Sequence, residues 1–271
     1  ERILIPISNP QTMPQLLDIS NLIKQRNNKT LYALKINNDP EDTSGAKLLE
    51  SAAKLASATD NKLVQIMKCD LNISNCIIDT VQANKITDLI VGIHHKANIV
   101  DTFLGGTITA LINGTSHQNL IIYGPKRPIN SVKRLVVTVP QMAELEIGFD
   151  LWFDRVKNIA SQLSIPIVFY ANKTTTEALK KQCEIHSSLN VSFRELASWE
   201  DFLIISKDIK HSDTLIVITA RKATVSYNNL FEKIPYYLNK YFADNNFLLI
   251  YPQQTASDGT DNDIYNPLKI S

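Results

Sequence analysis

The chain repeats itself. Arg2-Ile3-Leu4-Ile5-Pro6 is echoed by Arg134-Leu135-Val136-Val137-Thr138, and each opens a stretch of alternating apolar runs and helical patterns. Further along, Asp88-Leu89-Ile90-Val91 with Lys96-Ala97 beyond it is matched by Thr214-Leu215-Ile216-Val217 with Lys222-Ala223. The last runs, Asn119-Leu120-Ile121-Ile122-Tyr123 and Asn246-Phe247-Leu248-Leu249-Ile250-Tyr251, each have a proline just beyond. The matches are collinear, so the chain reads as two copies of one plan. Across 271 residues, 44% hydrophobic content is enough for a core in each copy.

In the first copy, short runs rich in Ile, Leu and Val predict strands at about Arg2–Ile7, Thr30–Ile36, Lys62–Met67, Asp88–Gly92 and Asn119–Tyr123. Between them lie helical patterns such as Leu16, Leu17, Ile19, Leu22 and Ile23, then Leu48, Leu49, Ala52, Ala53 and Leu55. Asn72 and Asp101 are placed to cap the third and fourth helices. The second copy predicts strands near Arg134–Val139, Pro166–Tyr170, Val191–Glu195, Thr214–Thr219 and Asn246–Tyr251. Its first helix carries Phe149, Trp152, Phe153, Val156, Ile159 and Leu163 at core spacing. The expected class is α/β, with two tandem doubly wound parallel sheets, each covered by helices on both faces and buried without help from the other. The boundaries fall at 1–128 and 132–253, joined by the polar, proline-containing Lys126–Ser131, with a small polar tail over 254–271.

Charge and cysteine content exclude several classes. The 28 Lys+Arg against 27 Asp+Glu leave +1, so no general field draws nucleic acid or an anionic membrane, and any partner is recognised locally. Cys69, Cys76 and Cys183 lack the paired spacings of a zinc site or a disulfide framework and fit a reducing compartment. No apolar run is long enough to span a bilayer, so no direct membrane insertion is expected. The opening Glu1-Arg2-Ile3, inside a strand pattern almost at once, reads as a domain cut from a longer polypeptide or a trimmed product.

Ligands of open parallel sheets bind beyond the strand carboxyl ends where the winding reverses, which points to the loops after the first and fourth strands of each copy. In the first copy the fourth strand runs into Gly92-Ile93-His94-His95, and Gly105-Gly106-Thr107 then opens a helix. Glycines at a helix start let backbone amides approach phosphate oxygens, although they also simply bend a chain. The second copy's loop, Ala220-Arg221-Lys222-Ala223-Thr224-Val225-Ser226-Tyr227, has no glycine. Arg221 and Lys222 there are the candidates for contact with an anion or an acidic partner, against a merely solvated pair.

The stretch from Asp88 to Tyr123 resembles the universal stress protein family. Its nucleotide-binding members carry Gly-x2-Gly, nine residues, then Gly followed by Ser or Thr. Gly92 and Gly105 match, His95 stands at the second glycine, and Gly106 takes the Ser/Thr position with Thr107 one place later. Ser8 stands where the family has a nucleotide-contacting aspartate. The resemblance implies an adenine nucleotide as candidate cofactor, held in the first copy by Ser8, Gly92, His95, Gly105, Gly106 and Thr107. A Cβ at His95 crowds a phosphate that glycine admits.

Trp199-Glu200-Asp201-Phe202-Leu203-Ile204, Thr219-Ala220-Arg221-Lys222, Ser226-Tyr227-Asn228 and Tyr251-Pro252-Gln253-Gln254 resemble the cytoplasmic C-terminal region of bacterial cation/proton antiporters of the sodium/proton exchanger type. That resemblance implies a non-catalytic regulatory domain on the cytoplasmic side of the inner membrane, with the membrane transport domain of the same polypeptide as partner. It also implies that the last strands of the two copies pair across a twofold axis as an intrachain pseudo-dimer, with homodimerisation of the whole as an option. The alternative is a free cytosolic tandem stress protein binding an adenine nucleotide, with a nucleotide hydrolase third.

No other constellation argues for catalysis. His94 and His95 are adjacent on an extended segment and point apart, and His117, His186 and His211 lack helically spaced ligand partners. Neither a Gly-x-Ser-x-Gly elbow nor a P-loop lysine is present. Glu144 and Glu146 read as favourable first-turn charges of the helix that follows.

Overall fold

The computed structural model describes residues 1–24, 30–39, 41–93, 105–185 and 189–254. The first half contains β1 (Arg2–Pro6), α1 (Met13–Ile23), β2 (Thr30–Asn37), α2 (Ser44–Ala58), β3 (Leu63–Cys69), α3 (Ile73–Ala83), β4 (Asp88–Gly92), α4 (Gly106–Gly114) and β5 (Asn119–Gly124). The second contains β6 (Arg134–Thr138), α5 (Phe149–Leu163), β7 (Ile167–Ala171), α6 (Lys173–Ile185), β8 (Val191–Glu195), β9 (Asp213–Ile218), α7 (Ile234–Tyr241) and β10 (Asn246–Tyr251). Short 3-10 helices cover Ile129–Ser131, Ala143–Leu145, Trp199–Lys207 and Asn229–Lys233.

All ten strands form one sheet in the order β3-β2-β1-β4-β5-β10-β9-β6-β7-β8. Each half is doubly wound as expected, in the order 3-2-1-4-5 with parallel neighbours, and the halves meet where β5 and β10 pair antiparallel, Ile122 opposite Leu249. This is the expected pairing of last strands. Gly124 fits there because Phe247 of β10 covers its face so closely that a Cβ would lie 2.2 Å from the ring.

Both β5 and β10 are buried along their whole length, so successive side chains enter opposite layers. Ile121, Tyr123, Leu248 and Ile250 join a core under α1, α2, α5 and α6. Leu120, Ile122, Phe247 and Leu249 join one under α3, α4, α7 and the 199–207 helix. Each core runs through both halves. Here the expectation of two independently buried sheets is corrected: burying β5 and β10 against each other leaves no boundary at which either core could close.

Helix α5 shows why the halves merge. Trp152, Phe153, Val156 and Ile159 are buried at helical spacing, each contributing roughly 1.5–3 kcal/mol of burial. On the same helix Asn158 and Gln162 donate to the carbonyls of Ile23 (2.8 Å), Leu22 (2.8 Å) and Lys24 (2.9 Å), satisfying the open end of α1 in the other half. In α2 the buried stripe is Leu48, Leu49, Ala52 and Ala56, so Leu55, expected in the core, lies on its shoulder and is exposed. Asn72 caps α3 by accepting from the Asn75 amide.

Candidate functional site

The winding reverses between β1 and β4 in the first half and between β6 and β9 in the second; Leu4 pairs with Leu89, and Val137 with Ile216. Two crevices therefore open at the carboxyl edge of the sheet. In the first, Ser8 is exposed two residues beyond β1, and Gly92 ends β4 opposite Tyr123. A Cβ on Gly92 would meet the Leu16 methyls at 3.1 Å, a tight contact that α1 would have to yield to. Gly105 sits in the cap position of α4, with Gly106 and Thr107 exposed in the first turn, and nothing lies within 4 Å of where a Cβ on either glycine would stand. Among the described residues no contact explains that pair. His94, His95 and Asp101, the last expected as the α4 cap, lie outside the described residues. Ser8 and Gly92 thus share one sheet edge, while the loop that would bring Gly105–Thr107 to them is not among the described residues.

The second crevice is closed from within. Glu146 accepts from both the amide (3.0 Å) and the hydroxyl (2.6 Å) of Ser226, and Ser226 is buried. Glu144 accepts from the Thr175 hydroxyl at 2.8 Å. Glu144 is a first-turn charge as expected, but of the short 3-10 helix Ala143–Leu145, whereas Glu146 ends that helix and precedes α5, which starts only at Phe149; the two carboxylates tie the loop after β6 to α6 and to the loop after β9. Gly148 completes this frame, since a Cβ there would lie 2.4 Å from the Gln253 carbonyl oxygen.

Arg221, expected as an exposed anion contact, is instead 8% exposed and turned into the seam between the halves. Its guanidinium donates to the carbonyls of Ile112 (2.7 Å) and Thr115 (2.7 Å) at the end of α4, and to that of Pro252. The carbonyls of Ile112 and Thr115 lie at the C-terminus of α4, where positive charge is favoured. Burial lowers its pKa to about 10, still far above neutrality. All three of its nitrogens thereby bind backbone carbonyls inside the seam, turned away from an incoming anion. Lys222 is exposed as expected, with Glu232 2.8 Å from its ammonium.

A second charged contact across the halves was not legible in the sequence. Arg155 of α5 and Asp88 at the start of β4 are both fully buried and joined by two 2.8 Å hydrogen bonds, with Asn119 and Thr87 also donating to the carboxylate. Glu1 lies 3.0 Å from the remaining guanidinium nitrogen. The available signals were a charge on the apolar stripe of α5 and an acid opening an all-apolar strand. His117 and His211 are exposed, and His186 lies outside the described residues.

No protein-family model matches the chain, and no curated protein does. Solved structures do. The cytoplasmic domain of a prokaryotic cation chloride cotransporter is similar with a TM-score of 0.65 at 12% identity, over 93% of this chain and 96% of that one. A universal stress protein from Archaeoglobus fulgidus DSM 4304 gives 0.56 at 10% identity, over 93% and 98%. The chain has the universal stress protein fold, twice over. A functionally unknown protein from Pseudomonas aeruginosa PAO1 shares it as well, at 0.63 and 15% identity over 93% and 92%. The two halves differ at this edge: α4 of the first opens on Gly105-Gly106, whereas in the second Glu146 takes the donors of Ser226.

Proposed function

We propose that this chain is a non-catalytic regulatory module on the cytoplasmic side of a cation/proton antiporter, sensing a small ligand or a partner and biasing exchange by the membrane domain of the same polypeptide. The observation that carries this reading is the second crevice, where Glu146 satisfies the donors of Ser226 and Arg221 is consumed by carbonyls. Half of the module has thereby exchanged ligand binding for rigidity. The fold's end-to-end likeness to the cytoplasmic domain of a cation chloride cotransporter supports a transporter setting. Among the described residues no helix is long and apolar enough to cross a membrane, so transport itself is assigned to a separate part of the polypeptide. In the full-length protein, deletion of this module is expected to shift the pH activation profile of exchange while leaving assembly intact. An unchanged profile over pH and ATP concentration overturns the proposal.

One observation favours a second reading, a free tandem protein that binds an adenine nucleotide in its first half: the unobstructed glycines at the start of α4. Calorimetry with ATP, AMP and cyclic dinucleotides tests it, and silence with all three removes it.

A further inference from the structure

Four exposed apolar side chains gather on the two loops that close the second crevice. Met142, Leu145 and Ile147 follow β6, and Val225 follows β9; they are 49%, 67%, 62% and 58% exposed. Met142 and Val225 line a recess of about 80 Å³ that continues past Tyr227 and Asn228 into a shallower one of about 400 Å³ bordered by Glu200 and Leu230. The bonds from Ser226 to Glu146 fix the frame, so Leu145 and Ile147, on either side of Glu146, stand outward on a rigid support. Each loop also holds a non-glycine residue in the left-handed region, Met142 at φ 63° and Ala223 at φ 68°. That conformation is unfavourable for a residue with a Cβ, and presenting methionine to water repays nothing in folding. The corresponding loop of the first half, Ser8-Asn9-Pro10-Gln11-Thr12, has no such side chains.

The β6 side of this groove carries charge of one sign. Residues 142–150 include Glu144, Glu146 and Asp150 and no cation, and Glu200 borders the wider recess. On the facing loop Arg221 is turned inward, and Glu232 takes the ammonium of Lys222. We infer that the groove docks a basic amphipathic polypeptide segment, its apolar side chains over Met142, Leu145, Ile147 and Val225 and its Lys or Arg side chains toward Glu200 and Asp150. An anionic lipid surface is repelled by the same carboxylates, which favours a polypeptide. The inference deepens the regulatory reading and rests on it only for the donor of the segment: cytoplasmic loops of membrane proteins are rich in Lys and Arg and supply that chemistry.

The test titrates the whole chain with a synthetic amphipathic Leu/Lys peptide, a Leu/Glu peptide of the same pattern and phosphatidylglycerol vesicles. The Leu/Lys peptide is expected to bind, and the Leu/Glu peptide to bind at least about tenfold more weakly. The L145D/I147D variant alters only exposed positions and is expected to melt as the parent does while losing about tenfold or more in affinity, the equivalent of about 1.4 kcal/mol. Met142→Gly, which relieves the left-handed strain, is a second variant expected to fold normally and bind less. Equal affinity of parent and variants, equal binding of the two peptides, or binding to vesicles in place of peptide each overturns the inference. Peptide binding combined with an unchanged transport profile on deletion keeps the groove and removes the regulatory reading; a changed profile without peptide binding does the reverse.

Discussion

Asn119 and Asn246 hold matching positions at opposite ends of the β5–β10 pair, and each fixes the backbone that leaves the other strand. Asn246 opens β10 and accepts from the amides of Lys126 (2.6 Å) and Arg127 (2.9 Å), just past the end of β5. Asn119 opens β5 and accepts from the amide of Gln253 at 3.1 Å, just past the end of β10. The pseudo-twofold is therefore written in side chains as well as in strand order.

Asn246→Ala leaves two backbone donors and the Arg127 carbonyl without this partner, and is expected to cost about 2 kcal/mol or more in urea denaturation. Asn119→Ala should cost at least as much, because Asn119 also donates to Asp88. A loss under about 0.5 kcal/mol in both would show that the joint is held by apolar packing alone.

Arg155→Met strands Asp88 in the interior and is expected to destabilise by about 3–5 kcal/mol, whereas Asp88→Leu with Arg155→Met recovers most of that loss. Burial opposes the charge on Asp88, yet the Arg155 guanidinium and its hydrogen bonds outweigh burial and hold the carboxyl below its ordinary value. The unfolded chain then takes up the proton first as pH falls. Stability from this pair is present above about pH 3.9 and is lost below it as the folded carboxyl titrates. Acid unfolding of parent and double variant, followed by circular dichroism, reads the difference.

Arg221→Lys is expected to behave like a deletion. A single ammonium cannot reach carbonyls on residues 112, 115 and 252 in the planar spread a guanidinium covers. The variant should lose about 2 kcal/mol or more in urea, with no change in phosphate binding by calorimetry. A stable variant with weakened anion binding would restore Arg221 as an exposed contact.

At the alkaline end, burial raises the phenols of Tyr251 and Tyr170 to about 12. Unfolded, both titrate near pH 10, so the stability they confer is complete below about pH 10 and falls as pH climbs toward 12. Tyr251→Phe should flatten that slope in melting curves taken across this range.

The strands were legible because most of the central ones are buried on both faces and so read as unbroken apolar runs; Asp88–Gly92 and Asn246–Tyr251 were placed to the residue. The parallel sheet covered by helices followed from their alternation with helices. Long-range electrostatics were not legible. Ala220-Arg221-Lys222-Ala223 reads the same whether the arginine is solvated or buried, and its carbonyl partners lie about a hundred residues earlier in the chain. Glu146 likewise looked like a helix-start charge until Ser226, eighty residues on, arrived beside it. The glycines at 92 and 105 were found by spacing, but only the contact with Leu16 separates the one packed against α1 from the one that no described residue approaches.

The antiparallel joint also governs how this molecule can be divided. β5 and β10 are wholly covered only by each other and by layers drawn from both halves, so either half made alone would present a bare, apolar strand edge, the template on which aggregates grow. A cut in the 125–133 connection, by contrast, severs no strand, and with Ile129 and Val132 still seated in the core the two pieces made together should refold into the intact body as a complementing pair.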